Sequence, residues 1–150
     1  MAARNTDPGF VLDPAFTRDC YVLGDLPLCR ALLMNDARYT WFILIPRRSG
    51  IVEIIDLLPE DRRQLLDEVV IASDVLKTVV APDKINVGAL GNMVPQLHVH
   101  VIARFRSDPA WPGPVWGHSP AAPYPAHGLG VATDRLLAAF HARGLAEVAE

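Results

Sequence analysis

Two histidines placed two residues apart are the residues of this sequence best suited to do chemistry. His98 and His100 lie in a run that alternates polar and apolar residues, as a half-buried strand does. Alternate residues of a strand share a face, with Cβ atoms about 7 Å apart, so both imidazoles can reach one small ligand. The preceding loop contains Gly91 and Asn92, which would add closely approaching backbone N–H groups and an amide donor.

Three interpretations of this pair of histidines stay open. They could form the polar outer face of a half-solvated strand. They could bind zinc, although the other histidines, His118, His127 and His141, follow at no recognisable spacing. They could also attack phosphorus, with one imidazole as the nucleophile and the other bound to the phosphoryl oxygens.

The third interpretation is chemically consistent with the residues around the pair. An imidazole is largely unprotonated near neutral pH, so His98 can attack without a separate base. A backbone carbonyl at position 96 can fix its tautomer whatever side chain stands there. The side chain of Gln96 can form hydrogen bonds but cannot act as an acid. We therefore expect either a good leaving group, such as a polyphosphate, or slow turnover.

The composition of the 150-residue chain indicates one folded domain, because 51% of its residues are hydrophobic and 21% are charged. The net charge of -3, with no basic stripe, argues against a nucleic-acid polymer as partner and leaves nucleotides open. No apolar run is typical of a signal peptide or a membrane span, so we expect a cytoplasmic protein without a membrane partner. Cys20 and Cys29 are expected to be reduced, buried thiols.

The histidines must be positioned by regular elements, and the sequence pattern predicts seven of them. They are a short helix over 15–20 capped by Asp13, strands over 28–34 and 39–45 joined as a hairpin, a long helix from Pro59 closed by Pro82, strands over 84–90 and 96–104, and a final helix capped by Thr133 and Asp134.

The apolar residues of the last strand and of the long helix are predicted to meet. Leu97, Val99 and Val101 point to one face of the strand, and the two histidines point to the other. On the helix, an apolar stripe recurs at spacings of three and four residues and is widened by further apolar positions. We expect the stripe to cover the apolar face of the sheet and to leave the histidine face open. The stripe comprises Leu65, Val69, Ala72, Leu76 and Val79, widened by Leu66, Val70 and Val80.

The segment 107–128 is rich in proline and carries Trp111, Trp116 and Tyr124. Proline fixes φ and removes a hydrogen-bond donor, so the segment cannot form a ladder or a helix interior. We expect an ordered, irregular flap. Its tryptophans either stack on a base and wall off the site or plug the edge of the core, and both interpretations stay open.

The segment Gln96-Leu97-His98-Val99-His100-Val101-Ile102 resembles the signature of the histidine triad (HIT) family, with glutamine in place of the first histidine. The surroundings agree over residues 28–106. They include an Asn-Asp turn, a strand ending Ile45-Pro46-Arg47, an acidic helix start, Asn86-Val87-Gly88 and the Gly91-Asn92 loop. Glutamine at this position, followed by a segment rich in tryptophan and proline, resembles the pattern of a bacterial branch of that family.

The resemblance implies an α+β, HIT-like fold: an antiparallel sheet of about five strands with one long helix packed on it, plus a C-terminal helix. Residues 1–106 would form the HIT-like domain, and the flap and C-terminal helix of 107–150 would belong to the same domain. HIT proteins are commonly homodimers that bind nucleotides. The resemblance thus implies a nucleotide as the small-molecule partner.

The activity implied is that of a nucleotide hydrolase or nucleotidyl transferase acting on the α-phosphate, of dinucleoside polyphosphate or nucleoside phosphoramidate type. His98 would be the nucleophile, and the substrate-binding residues would be His100, Gln96, Asn92, Gly91, Asn86 and Asn35. No metal or other cofactor is required, although a divalent cation can accompany a polyphosphate substrate. The alternative is a nucleotide-binding protein whose degenerate triad does not turn over.

Overall fold

The structure of the chain is a computed structural model that describes residues 6–149. Residues 1–5 and residue 150 lie outside the described residues. The elements are α1 (Pro14–Asp19), β1 (Cys20–Asp25), β2 (Cys29–Met34), β3 (Trp41–Pro46), a single 3-10 turn (Ile54–Asp56), α2 (Pro59–Val79), β4 (Lys84–Gly88), β5 (Val99–Arg104) and α3 (Ala126–His141).

The strands form one antiparallel sheet in the order β1-β2-β3-β5-β4. β2 and β3 pair as the predicted hairpin, with Cys29 opposite Pro46. β5 lies between β3 and β4, so the strand that carries His100 is an inner strand of the sheet. The predicted α+β architecture of a five-stranded antiparallel sheet with one long helix and a C-terminal helix is confirmed.

The apolar stripe of α2 covers one face of the sheet, as predicted. Leu65, Ala72 and Leu76 are buried in the same core as Val99 and Val101 of β5. This burial removes apolar surface from water and fixes the helix on the sheet. The stripe is narrower than the sequence pattern indicated, because the side chains of two of its predicted members, Leu66 and Val70, remain 64% and 59% exposed.

The sequence pattern missed β1, and the physical reason is an irregularity in that strand. The register between β1 and β2 shifts between Val22 and Gly24, so the strand lacks a clean alternation. Gly24 has a φ of +152°, and a Cβ there would collide with the carbonyl oxygen of Ala146. The chain beyond α3 pairs with the end of β1 through Asp25 and Ala146, which covers the sheet edge at that point.

The helix boundaries differ from prediction mainly at α3. Asp13 caps α1 as predicted, its carboxylate accepting from the backbone N–H of Ala15. α3, however, begins at Ala126, so the predicted cap at Thr133 and Asp134 is wrong. The hydroxyl of Thr133 donates to the carbonyl of Leu129 one turn earlier, a bond that a threonine forms inside a helix.

The C-terminal segment shares its core with the rest of the chain. Leu136 and Phe140 of α3 are buried in the same cluster as the core residues of α2. Such shared core contacts are what one domain made of residues 1–106 and 107–150 requires. The boundary between the HIT-like part and the C-terminal part at residue 106 stays a prediction. Both cysteines are free and buried. Within residues 6–149, no helix combines the length and apolarity that crossing a membrane would need.

Candidate functional site

The two histidines lie on the face of the sheet opposite α2. β5 begins at Val99, so His98 precedes the strand. The side chains of His98 and His100 nevertheless lie on the same face, as the alternation predicted. The ring centroids of His98 and His100 are 4.9 Å apart. The prediction that this face is left open is wrong, because the two residues are only 8% and 6% exposed. Aromatic rings from α1, β3 and the segment after β5 cover them.

A cavity of about 460 Å³ opens beside this pair. The structure places four of the predicted site residues, His98, His100, Gly91 and Asn92, on its wall. The other three, Gln96, Asn86 and Asn35, are not among the lining residues. The remaining wall is mostly apolar and aromatic, formed by Ala15, Phe16, Cys20, Met34, Trp41, Ile43, Leu90, Met93, Val94, Val115, Trp116, Gly117 and Ala121, with Asp19, Asp36 and Ser119 as its further polar members.

The ring of His98 is oriented by the backbone carbonyl of Gln96, which lies 2.8 Å from its Nδ1. A carbonyl oxygen can only accept, so Nδ1 carries the proton. The neutral ring therefore keeps its lone pair on Nε2. The ring of Phe16 packs edge-on against His98, with centroids 4.8 Å apart, and holds it from the other side. This is the tautomer that a nucleophilic imidazole needs.

His100 has the opposite tautomer. Its Nδ1 lies 2.9 Å from Nε1 of Trp41, and an indole nitrogen can only donate. Nδ1 of His100 is therefore the acceptor, and the neutral ring carries its proton on Nε2. Burial, followed by the neighbouring His98, lowers the pKa of His100 to about 3, so the ring is neutral at physiological pH. The site thus combines one imidazole that can attack with one that can donate a hydrogen bond.

Gln96 uses its side chain away from the cavity. Its Oε1 accepts from the backbone N–H of Asp13, and its Nε2 donates to the carbonyl of Val11. These bonds tie the chain before α1 to the histidine segment. Because α1 carries Phe16, which packs on His98, the glutamine side chain is placed to support His98 indirectly.

Asn86 lies on β4 and faces a buried arginine rather than the cavity. Its Oδ1 accepts from Arg104, whose guanidinium also makes a two-point contact with Asp108. Asp108 in turn accepts from the backbone N–H groups of Phe105 and Trp111. This arrangement anchors the start of the flap to the sheet.

Asn35 anchors the other end of the flap. Its Oδ1 accepts from the backbone N–H of Tyr124. Two residues further along the same turn, the backbone N–H of Ala37 donates to the carbonyl of Ala122. Arg38 adds bonds to Ser119 and to the carbonyl of Pro120. The predicted ordered flap is therefore held at both ends, and its middle forms one wall of the cavity.

The two tryptophans of the flap have different surroundings. Trp116 lines the cavity and packs on His100, with ring centroids 5.4 Å apart. Its ring lies so close to β4 that a Cβ at Gly88 would be 3.0 Å from it. Trp111 is not among the lining residues and packs on the guanidinium of Arg104 instead. Trp116 therefore walls the cavity and also packs against the core, whereas Trp111 belongs to neither apolar core cluster, and stacking on a base stays a prediction.

Replacing these tryptophans singly by leucine should separate binding from packing. We expect Trp116→Leu to raise the Kd for nucleotide, because the substitution removes an aromatic wall of the cavity. We expect Trp111→Leu to lower the Tm and leave the Kd unchanged, because it removes a cover from a buried cation. Calorimetric titration and thermal unfolding of both variants test this. An unchanged Kd in the Trp116 variant would assign that ring to packing.

Sequence reasoning missed three residues that shape the cavity: Phe16, Trp41 and Asp36. The apolar pattern gave no reason to separate Phe16 and Trp41 from core residues. Asp36 stands next to the predicted Asn35, and its carboxylate is held by a two-point contact with Arg38. Burial, the largest single influence, opposes ionisation of Asp36, but the hydrogen bonds and charge of Arg38, together with a backbone hydrogen bond from Ala122, hold the pKa of the carboxyl below its usual range.

A metal site would need more ligands than the histidine pair. In the part of the chain that the structure describes, no group of three or more histidine, cysteine, aspartate or glutamate side chains is arranged to hold a metal ion. The zinc interpretation of His98 and His100 therefore lacks the third protein ligand that zinc sites use.

Comparison with known proteins identifies relatives of this chain. The family model described as HIT domain matches residues 16–107. A histidine triad protein from Marinobacter aquaeolei VT8 is 44% identical, with 91% of this chain and 98% of that chain covered and a TM-score of 0.86. A histidine triad protein from Sinorhizobium meliloti 1021 is 46% identical, with 86% of this chain and 96% of that chain covered and a TM-score of 0.83. One from Bradyrhizobium japonicum is 41% identical, with 93% of this chain and 100% of that chain covered and a TM-score of 0.84. The search of curated proteins found no significant match.

Proposed function

The chain belongs to the HIT domain family, and from that premise we propose that it binds a nucleotide and transfers or hydrolyses the nucleotidyl group through a covalent intermediate on His98. The observation that carries this proposal is the opposite tautomer of the two neighbouring histidines. His98 keeps a lone pair on Nε2, and His100 keeps a proton on Nε2. A nucleophile and a donor for the phosphoryl oxygens thus stand side by side.

The substrate would occupy the cavity with its base among the apolar and aromatic side chains, where Trp116 and Phe16 offer ring surfaces. We place the ribose hydroxyls beside Asp36, because its carboxylate lines the cavity and its oxygens can accept further hydrogen bonds beside those from Arg38. Asn35 is not among the lining residues, and its side chain is engaged with the flap. The α-phosphate would lie between the two histidines and the loop of Gly91 and Asn92.

In the first step, the Nε2 lone pair of His98 attacks the α-phosphorus and forms a P–N bond, while the bond to the leaving group breaks and its electron pair departs with that group. An amine leaving group takes its proton from solvent, because Gln96 cannot act as an acid. The positive charge on the substituted ring is met by the Gln96 carbonyl that accepts from Nδ1. His100 and Asn92 would donate to the phosphoryl oxygens as charge develops. In the second step, water or another acceptor attacks phosphorus and releases its proton to solvent, the P–N bond breaks, and His98 recovers its lone pair.

The charge of the cavity favours a substrate with a single negative charge at phosphorus. Among the described residues that line it there is no lysine or arginine, and its two carboxylates, Asp19 and Asp36, are each ion-paired with an arginine outside the lining, Arg18 and Arg38, so the wall carries no net positive charge. His100 is neutral as well. A polyphosphate chain would place several negative charges beside this wall, with little to compensate them unless a divalent cation accompanied it. A nucleoside phosphoramidate carries less charge, so we propose this type ahead of the dinucleoside polyphosphates.

A substrate panel followed by phosphorus NMR tests the proposed function. We expect a higher kcat/KM for adenosine phosphoramidate than for diadenosine polyphosphates, and Mg²⁺ should raise only the latter. Equal values for both types without Mg²⁺ would contradict the charge argument. Saturable nucleotide binding with no product from any member would instead support the alternative, a binding protein without turnover. That alternative is favoured by one observation, the absence of an acid at position 96.

We also propose that the protein forms a homodimer. β4 is an edge strand of the sheet with Val87 about half exposed, and Leu66 and Val70 leave apolar surface on α2. Closed two-fold dimers are the commonest way to cover such surfaces. Sedimentation at micromolar concentration should show the dimer, and a species of only 16.4 kDa would contradict it. The cytoplasmic location stays a prediction.

A further inference from the structure

Trp41 is a buried tryptophan of β3, and its indole N–H, the only polar group of its side chain, donates a hydrogen bond to His100, the proposed donor to the phosphate. The indole nitrogen lies 2.9 Å from Nδ1 of His100, and the two ring centroids are 5.6 Å apart. The residue is 6% exposed, so the bond is shielded from water. It joins neighbouring strands of the sheet, because β3 and β5 are paired at this level.

The other rings around His100 offer no equivalent bond. Trp116 approaches His100 from the flap, but its Nε1 is buried and has no hydrogen-bond partner among the described residues. His98 contacts the ring of His100 edge-on and uses its own Nδ1 on the Gln96 carbonyl. Among residues 6–149, one polar contact therefore defines the orientation of His100 about its side-chain bonds, the one from Trp41.

That contact also decides which nitrogen of His100 carries the proton. An indole N–H has no lone pair to offer, so a proton on Nδ1 of His100 would face another donor proton at 2.9 Å. The neutral ring must then be protonated at Nε2. Without the indole, both tautomers of a buried neutral imidazole become available, and only one of them presents a donor at Nε2.

We propose that Trp41 is a positioning residue, whose indole N–H holds His100 in the tautomer that donates from Nε2 to the phosphoryl oxygens of the substrate. The assignment of a substrate contact to His100 rests on the proposed function, but the tautomer does not. Trp41 acts through His100 and forms no bond with the substrate itself. Its replacement should therefore impair the chemical step more than nucleotide binding.

The test is the tautomer of His100 in the purified protein, read from two-bond proton–nitrogen correlations of ¹⁵N-labelled histidine at neutral pH. The native protein should show His100 protonated at Nε2 alone. Trp41→Phe keeps an aromatic ring and removes the donor, and we expect a mixture of both tautomers. Tyr39→Phe is the matched control. Its ring packs against Trp41 and its hydroxyl has no partner among the described residues, so the native tautomer should be kept.

Turnover provides the second readout. We expect Trp41→Phe to lower kcat by roughly tenfold, less than the 10²–10³-fold loss typical when such a donor is removed altogether, with a smaller change in KM. Protonation at Nδ1 in the native protein, or a Trp41→Phe variant with pure Nε2–H, would overturn the proposal even if the enzyme is active. A protein without turnover that shows the expected tautomers would leave Trp41's role standing and refute the proposed catalysis instead.

Discussion

Replacing His98 with asparagine is expected to lower kcat by on the order of 10⁶-fold, the scale of loss seen when a hydrolase loses its nucleophile. An amide can still donate to the Gln96 carbonyl, so the local geometry should survive, but it has no lone pair able to form the P–N bond. The Kd for nucleotide should change little, because that bond forms only after binding. Steady-state kinetics and calorimetric titration measure the two quantities.

The matched control is His141→Asn, which alters an exposed histidine at the end of α3, outside the cavity lining. It should keep native kcat and Kd. Substantial turnover by the His98 variant would rule out the covalent mechanism. A large loss of binding together with turnover would instead assign His98 to substrate contact.

The largest effect on stability is expected for Asp108→Ala. The side chains of Arg104 and Asp108 are 2% and 4% exposed, and removing the carboxylate leaves a buried guanidinium without its charge partner. Breaking such a pair costs about 3–5 kcal/mol, which corresponds to a Tm lowered by roughly 6–20 °C. The same change releases the start of the flap, so the Kd for nucleotide should rise as well. Thermal unfolding of the variant, compared with the exposed Asp134→Ala, measures the effect.

The acid dependence of stability provides an independent check on the same pair. Hydrogen bonds from Arg104, and then from backbone N–H groups, lower the pKa of Asp108 to about 2. A carboxylate with a depressed pKa stabilises the fold above its unfolded pKa of 3.8, and this contribution is lost as the pH falls towards 2. The native protein should therefore lose more stability between pH 4 and 2 than the Asp108 variant does. Parallel loss in both proteins would contradict the role of this ion pair.

The local patterns of the sequence predicted most of the fold. The alternation of β5 placed His98 and His100 on one face, and the spacing of apolar residues predicted α2 on the other. The patterns failed at β1, where the register shifts between Val22 and Gly24 and the alternation is lost. They also failed at the start of α3, because a threonine inside a helix has the same residue type as a cap.

The site could be predicted only in part, because its supporting contacts join residues far apart in the chain. Trp41 and His100 are 59 residues apart, and Gln96 and Asp13 are 83 apart. The periodic spacing of residues in a helix or a strand gives no information about contacts between such distant residues. The carbonyl that orients His98 was foreseeable, because it belongs to a residue only two positions away. The indole that orients His100 became visible only when the sheet brought β3 beside β5.

The stereochemistry at phosphorus tests the covalent intermediate most directly. Each in-line displacement inverts the phosphorus centre, so attack by His98 followed by attack by water gives net retention. The measurement uses a P-chiral α-phosphorothioate analogue of whichever panel substrate is hydrolysed, with turnover in ¹⁸O-water and analysis of the product's configuration. The outcome does not depend on which step is slow. A covalent intermediate on His98 predicts retention of configuration, whereas inversion would mean that water attacks the substrate directly and would contradict it.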